Sequence, residues 1–106
     1  MSDNYIVIFV TCPSKKEADS IAGSLLKKRL VACANVVNKV ESKFRWNGRI
    51  DKARETLVML KTAGNKFKAV EKEVRRLHSY EVPEIIAIPI VALSKDYRRW
   101  IRDSVI

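Results

Sequence analysis

Phe44-Arg45-Trp46-Asn47-Gly48-Arg49-Ile50 decides the fold. An Asn-Gly pair between apolar residues is a strong short-range hairpin signal, because a type I′ turn needs positive φ at both central positions. The strand entering this turn is read over Leu30 to Val40, rich in Val and Ala, and the returning strand over Glu55 to Thr62, through Leu57, Val58, Met59 and Leu60. Strands two and three thus form one long hairpin whose tip projects beyond the body. A lone domain offers Phe44 and Trp46 little to pack against at that tip, so they are expected to contact another subunit.

Working outward, Tyr5 to Thr11 is β-branched and aromatic without a polar interruption, which predicts a central strand buried on both faces. Cys12-Pro13 ends it. Ser14-Lys15-Lys16-Glu17 matches a capping box, with the Ser oxygen serving an orphan amide and Glu17 reaching back. Ala18, Ile21, Ala22, Leu25 and Leu26 then make one apolar helical stripe, closed by Lys27-Lys28-Arg29 at the negative end of the dipole. Downstream of the hairpin, Asn65 is a candidate cap for a second helix with the stripe Phe67, Val70, Val74 and Leu77, and Glu71 and Arg75 form an i,i+4 pair. Ile85 to Val91 reads as strand four, where Pro89 marks an edge or a break because it cannot donate to a ladder. Ser94-Lys95-Asp96 opens a last short helix that buries Tyr97, Trp100 and Ile101. The order β-α-β-β-α-β plus a helix is an α+β, ferredoxin-like arrangement. It puts both main helices on one side of the sheet and leaves the other apolar side bare, which predicts self-association.

At 106 residues the chain is read as one domain, 1–106. No apolar run reaches the roughly 18 residues of a membrane span, and Met1-Ser2-Asp3-Asn4 lacks a basic secretory start, so a cytoplasmic protein without a membrane partner is expected. Cys12 and Cys33 are too few and too far apart for a disulfide framework or a zinc ribbon. The formal charge of +9 raises the question of a nucleic-acid partner. Lys and Arg are however spread over every segment and mixed with acids, without a basic-aromatic stripe, so no nucleic acid is expected.

His78-Ser79-Tyr80-Glu81-Val82-Pro83-Glu84-Ile85 gathers the single histidine, an aromatic hydroxyl and two acids between a helix and a strand. Pro83 steers Val82 out of the α region, so this segment should be a fixed turn. Imidazole and thiolate together suit copper or zinc, so His78, Cys33 and Glu81 are candidate metal ligands, with a copper ion as the candidate cofactor. Tyr80, Glu84 and Trp46 are candidates to line an intersubunit cleft. Each has a plainer use: His78 at a helix C-terminus, Cys33 as a small buried hydrophobe, Glu81 and Glu84 in salt bridges. No catalytic residue is assigned, since glycine-rich phosphate loop, nucleophile elbow and second histidine are all missing.

Leu30-Val31-Ala32-Cys33-Ala34-Asn35, Trp46-Asn47-Gly48-Arg49-Ile50, Leu60-Lys61-Thr62, His78 to Glu84 and Tyr97-Arg98-Arg99-Trp100 together resemble the CutA family of divalent-cation tolerance proteins over nearly the whole chain. The resemblance implies a homotrimer of ferredoxin-like subunits, similar in shape to PII-type signalling proteins, with a cleft at each subunit boundary and a role in divalent metal, notably copper, tolerance. Where members with assigned copper ligands carry a strand cysteine, a first histidine and a proline, this sequence has Val10, Leu77 and Ser79; His78 alone matches that set. The alternative is a PII-like signalling or interaction module whose cleft takes a small anion.

Overall fold

The computed structural model describes residues 4–106; the Met1-Ser2-Asp3 start, read above for its lack of a secretory segment, lies outside the described residues. The elements are β1 (Tyr5–Cys12), α1 (Lys15–Lys27), β2 (Cys33–Trp46), β3 (Arg49–Ala63), a 3-10 turn (Gly64–Lys66), α2 (Phe67–Leu77), β4 (Ile85–Pro89) and α3 (Lys95–Ser104). The four strands form one antiparallel sheet in the order β2-β3-β1-β4. Asn47 and Gly48 both have positive φ, 51° and 78°, as the hairpin turn requires.

Helix boundaries follow local chemistry, and several details depart from the sequence reading. Ser14 caps α1 by accepting from the Glu17 N–H at 3.1 Å, but the Glu17 carboxylate does not return to Ser14. It accepts instead from the Ser79 N–H and Oγ at 3.0 and 3.1 Å, tying α1 to the turn after α2. Asn65 does not cap α2: the N-cap is Lys66, without a side-chain bond, because the preceding 3-10 turn already leads the chain into the helix. Leu26 is exposed, since α1 ends within a turn of it, while Ala18, Ile21, Ala22 and Leu25 are buried as expected. α1 stops in a Schellman motif, with Leu30 N–H to Leu25 O and Arg29 N–H to Leu26 O, and Arg29 at φ 57°. β4 is an edge strand that ends at Pro89, two residues short of Val91. In α3 Ile101 is buried, whereas Tyr97 and Trp100 stay 38% and 45% exposed.

The core lies between one sheet face and the two main helices: Ile8, Val10 and Cys12 of β1, Val58 and Leu60 of β3, the α1 stripe, and Val70 and Val74 of α2. The opposite face carries Val7, Phe9, Leu57 and Met59, half-buried, with Val37, Ile86 and Ile88 exposed. Along β1, Ile8, Val10 and Cys12 on the helix side are fully buried, whereas Val7 and Phe9 on the opposite face are only half-buried within one subunit.

A β-bulge sets how the hairpin arm continues these faces. Val37 pairs with Leu57 and Val40 with Glu55, so β2 spends one residue more than β3 across this step. Asn38 holds the bulge: its Oδ1 accepts from the Lys39 N–H at 3.0 Å and from Thr56 Oγ1 at 2.9 Å, and Lys39 takes φ 61°. The extra residue inverts side-chain parity along β2. Ser42, Phe44 and Trp46 consequently share the bare apolar side with Val37, while Glu41, Lys43 and Arg45 fall on the other side.

One buried charge bolts α1 to α2. Glu73, 6% exposed, accepts from Arg76 at 2.7 Å, from Ser24 Oγ at 2.5 Å and from Lys28 at 3.0 Å. The Arg76 guanidinium foremost, then Ser24 and Lys28, hold its carboxyl far below the ordinary value of 4.5. A folded-state pKa below the unfolded one contributes stability above pH 4.5 that is lost as pH falls through and below that value. Because Lys28 and Arg76 are half-exposed and solvent-screened, Glu73→Gln is expected to cost about 2 kcal/mol at pH 7. Urea unfolding at pH 7 and pH 3 checks this: the difference between variant and wild type should shrink at the lower pH.

Candidate functional site

The arm overhangs the body, and the space between its apolar face and the 80–84 turn is a cleft of about 770 Å³. Thr11, Ser42, Phe44, Trp46, Asp51 and Glu55 line it from the sheet, and Tyr80, Glu81, Val82, Pro83 and Glu84 from the turn, with Lys43 and Arg45 also reaching it. Four carboxylates thus line this cleft in a chain whose overall charge is +9, while the strand pleat turns Lys43 and Arg45 to the opposite face of the arm.

Two of these acids, Glu55 and Glu84, feel each other's charge. The Tyr80 hydroxyl donates to Glu55 Oε2 at 2.8 Å, and Glu55 is 8% exposed. Burial, followed by the bond to Glu55 and its charge, pushes the Tyr80 phenol up to about 12. The Glu84 carboxyl is raised by burial and then by the Glu55 charge. Like charges near each other in partly desolvated surroundings favour a proton or a cation between them.

His78 sits behind this cleft rather than in it. As the C-cap residue of α2 its N–H bonds Val74 O at 2.8 Å. The imidazole has no exposed surface. Nε2 donates to the Thr11 carbonyl at 2.7 Å, and Nδ1 accepts from the Tyr80 N–H at 3.1 Å. A carbonyl can only accept and an N–H can only donate, so this pattern selects the neutral Nε2–H tautomer. Cys12 Sγ, a Glu17 carboxylate oxygen and a His78 nitrogen lie within 4.8 Å of one another. Burial, then the charges of Glu17 and Glu55, push the Cys12 thiol up to about 12.

The candidate residues therefore divide. Tyr80, Glu81, Glu84 and Trp46 line one cleft. His78 bridges β1 to the turn. Within one subunit Cys33 is not brought to His78: it pairs with Lys61, level with Val7, on the order of 13 Å along the strands from Thr11. Its Sγ faces Asn35 Oδ1 at 3.8 Å, and it lies close enough to Tyr97 to raise that phenol's pKa, after burial. The sequence reading passed over Asp51, Glu55, Cys12 and Glu17. Glu55 had one signal, a carboxylate alternating in phase with the apolar Leu57 and Met59.

An antiparallel sheet layered on helices, with an overhanging hairpin and an acid-lined cleft below it, defines a small α+β protein suited to a cationic ligand. Residues 6–104 match the family model described as CutA1 divalent ion tolerance protein, and the chain belongs to that family. It is 38% identical over 98 residues to the divalent-cation tolerance protein CutA of Thermus thermophilus, covering 92% of this chain and 95% of that one. It is 43% identical to the protein of the same name from Archaeoglobus fulgidus, with 92% and 95% covered. The solved Thermus thermophilus structure superposes with a TM-score of 0.93 at 37% identity, covering 95% of this chain and 98% of that one. The Archaeoglobus fulgidus structure, described as a periplasmic divalent cation tolerance protein, gives 0.92 at 41% identity, with 94% and 97% covered. Among the described residues, no helix is long and apolar enough to cross a membrane.

Proposed function

We propose that this protein is a homotrimer of ferredoxin-like subunits that responds to divalent cations by binding one weakly in the cleft between the hairpin arm and the 80–84 turn, at a subunit boundary. The observation that carries this reading is that Glu55, Glu84, Glu81 and Asp51 all line one cleft, where burial and the Glu55 charge raise the Glu84 carboxyl. A dication offsets their repulsion, and carboxylate and phenol oxygens fit a hard ion. Relatives known as divalent-cation tolerance proteins support the ligand class. The same acids disfavour the small anion of a PII-like module.

A second reading is favoured by the Cys12, Glu17 and His78 cluster, a thiol-imidazole-carboxylate set whose chemistry fits copper or zinc. It takes His78 with Cys12 in place of Cys33. Against it, both imidazole nitrogens are already bonded and the thiol resists deprotonation.

Thermal shift with Mn(II), Ca(II), Zn(II) and Cu(II), on wild type, Glu84→Gln and Cys12→Ser, separates the two. Cleft binding predicts that Glu84→Gln lowers affinity about tenfold or more and Cys12→Ser leaves it within about twofold, since a shared carboxylate ligand is worth about 1.4 kcal/mol or more. The reverse pattern assigns the cation to the buried cluster. No shift with any of these ions overturns both.

A further inference from the structure

The face of the hairpin arm turned away from the apolar side carries Glu41, Lys43, Arg45, Ile50, Lys52 and Arg54. Four cations thus stand against one carboxylate. Lys43 and Lys52 are direct cross-strand partners, an arrangement in which like charges destabilise the pair. Arg45 lies two residues further out on β2 and Arg54 two residues further in on β3, each step being about 6.6 Å. All four side chains are exposed. Glu41 reaches Lys43 at a loose 3.9 Å, and among the described residues Arg45, Lys52 and Arg54 have no ion pair. A shallow hollow of about 370 Å³ between them is lined by Lys43, Ile50, Asp51 and Lys52.

We propose that this cationic ribbon is a docking surface for the phosphate backbone of a nucleic-acid duplex, bound without sequence preference. Along the linear chain the cations look evenly mixed with acids. The bulge at Asn38-Lys39 and the strand pleat sort them, Phe44, Trp46 and Arg49 to one side and Lys43, Arg45, Lys52 and Arg54 to the other. An anionic bilayer surface is the poorer match, because an interfacial element presents aromatic and cationic groups so that the apolar ones insert. Here the aromatics point the opposite way and Ile50 alone accompanies the cations. A duplex needs only phosphate neutralisation, and a two-stranded ribbon fits the width of a major groove. The face is opposite the apolar one, so a subunit packed on the apolar side leaves it open.

Fluorescence anisotropy with a labelled random-sequence 20-base-pair DNA duplex tests this on wild type, Lys43→Gln/Lys52→Gln and, as a control of equal charge change on α2, Lys68→Gln/Lys72→Gln. Four phosphate contacts predict a loss of about 150-fold in wild-type affinity between 50 and 200 mM salt, and two contacts about 12-fold. The ribbon variant should therefore bind at least tenfold more weakly at 50 mM salt, with the shallower salt dependence, and melt no lower than wild type because the Lys43–Lys52 repulsion is gone. The control should stay within about twofold. Equal losses in both variants would reduce the effect to net charge and overturn the proposal. Absence of wild-type binding at 50 mM salt, or tighter binding to phosphatidylserine-phosphatidylcholine vesicles than to the duplex, would overturn it as well.

Discussion

His78→Ala is expected to destabilise the metal-free protein by about 3 kcal/mol, a loss that cannot come from ligand binding. The imidazole is fully buried and joins two backbone groups: the Thr11 carbonyl at the end of β1 and the Tyr80 N–H in the turn. Removing the ring takes a bond from each, costing on the order of 1–2 kcal/mol apiece, and adds the penalty of a cavity. Tyr80 also loses its anchor, and with it the position of Glu55 in the cleft. Chemical denaturation at fixed protein concentration, in the presence of a chelator, measures this directly. A loss below about 1 kcal/mol would mean that the ring does not hold the turn, and would return His78 to the role of a ligand.

The sequence made this stretch conspicuous without revealing why. Its histidine, acids and proline stand out locally, but the carbonyl that His78 donates to, that of Thr11, comes from a segment more than sixty positions away, as does the nearby Glu17. No periodicity links those positions; only the closure of β1, α1 and the turn on one another does. Expecting Glu17 to complete its own capping box was reasonable on spacing, and failed because Ser79 offers two donors where Ser14 offers one. Cys33 looked like the thiol of the site because it follows the first helix, yet strand register carries it toward Tyr97 and away from Thr11.

The elements themselves were far more legible. β1, α1 and the α2 stripe are periodic and well punctuated, and Asn47-Gly48 states its turn outright. The bulge was the consequential omission. Its signal lay in a change of phase: charged residues occupy 41, 43 and 45 while the apolar and small ones occupy 42, 44 and 46, opposite in parity to Val37. Asn38 satisfies the local backbone without glycine or proline, so the usual breakers gave no warning. That single residue decides that Phe44 and Trp46 extend the bare apolar face and that Lys43, Arg45, Lys52 and Arg54 gather behind them.

The extent of this bare face sets the other large expectation. Replacing Ile86 and Ile88 together by Asp is expected to convert the assembly to monomers at about 10 μM while each subunit keeps its secondary structure. Both side chains are on edge strand β4, paired with Phe9 and Val7, and both are about half exposed in the isolated subunit. On the subunit the two carboxylates meet water and cost little. Buried against a neighbour without partners they cost about 3 kcal/mol each, so association weakens by about four orders of magnitude. Ile50→Asp, on the cationic side of the arm, is the control and should assemble like wild type. Light scattering after size exclusion, with circular dichroism on the same fractions, reads the outcome. If the double variant kept the wild-type mass, the apolar side of the sheet would not be where subunits meet; a monomeric wild type would remove the trimer itself, and the cleft would then have to work as a single-subunit site.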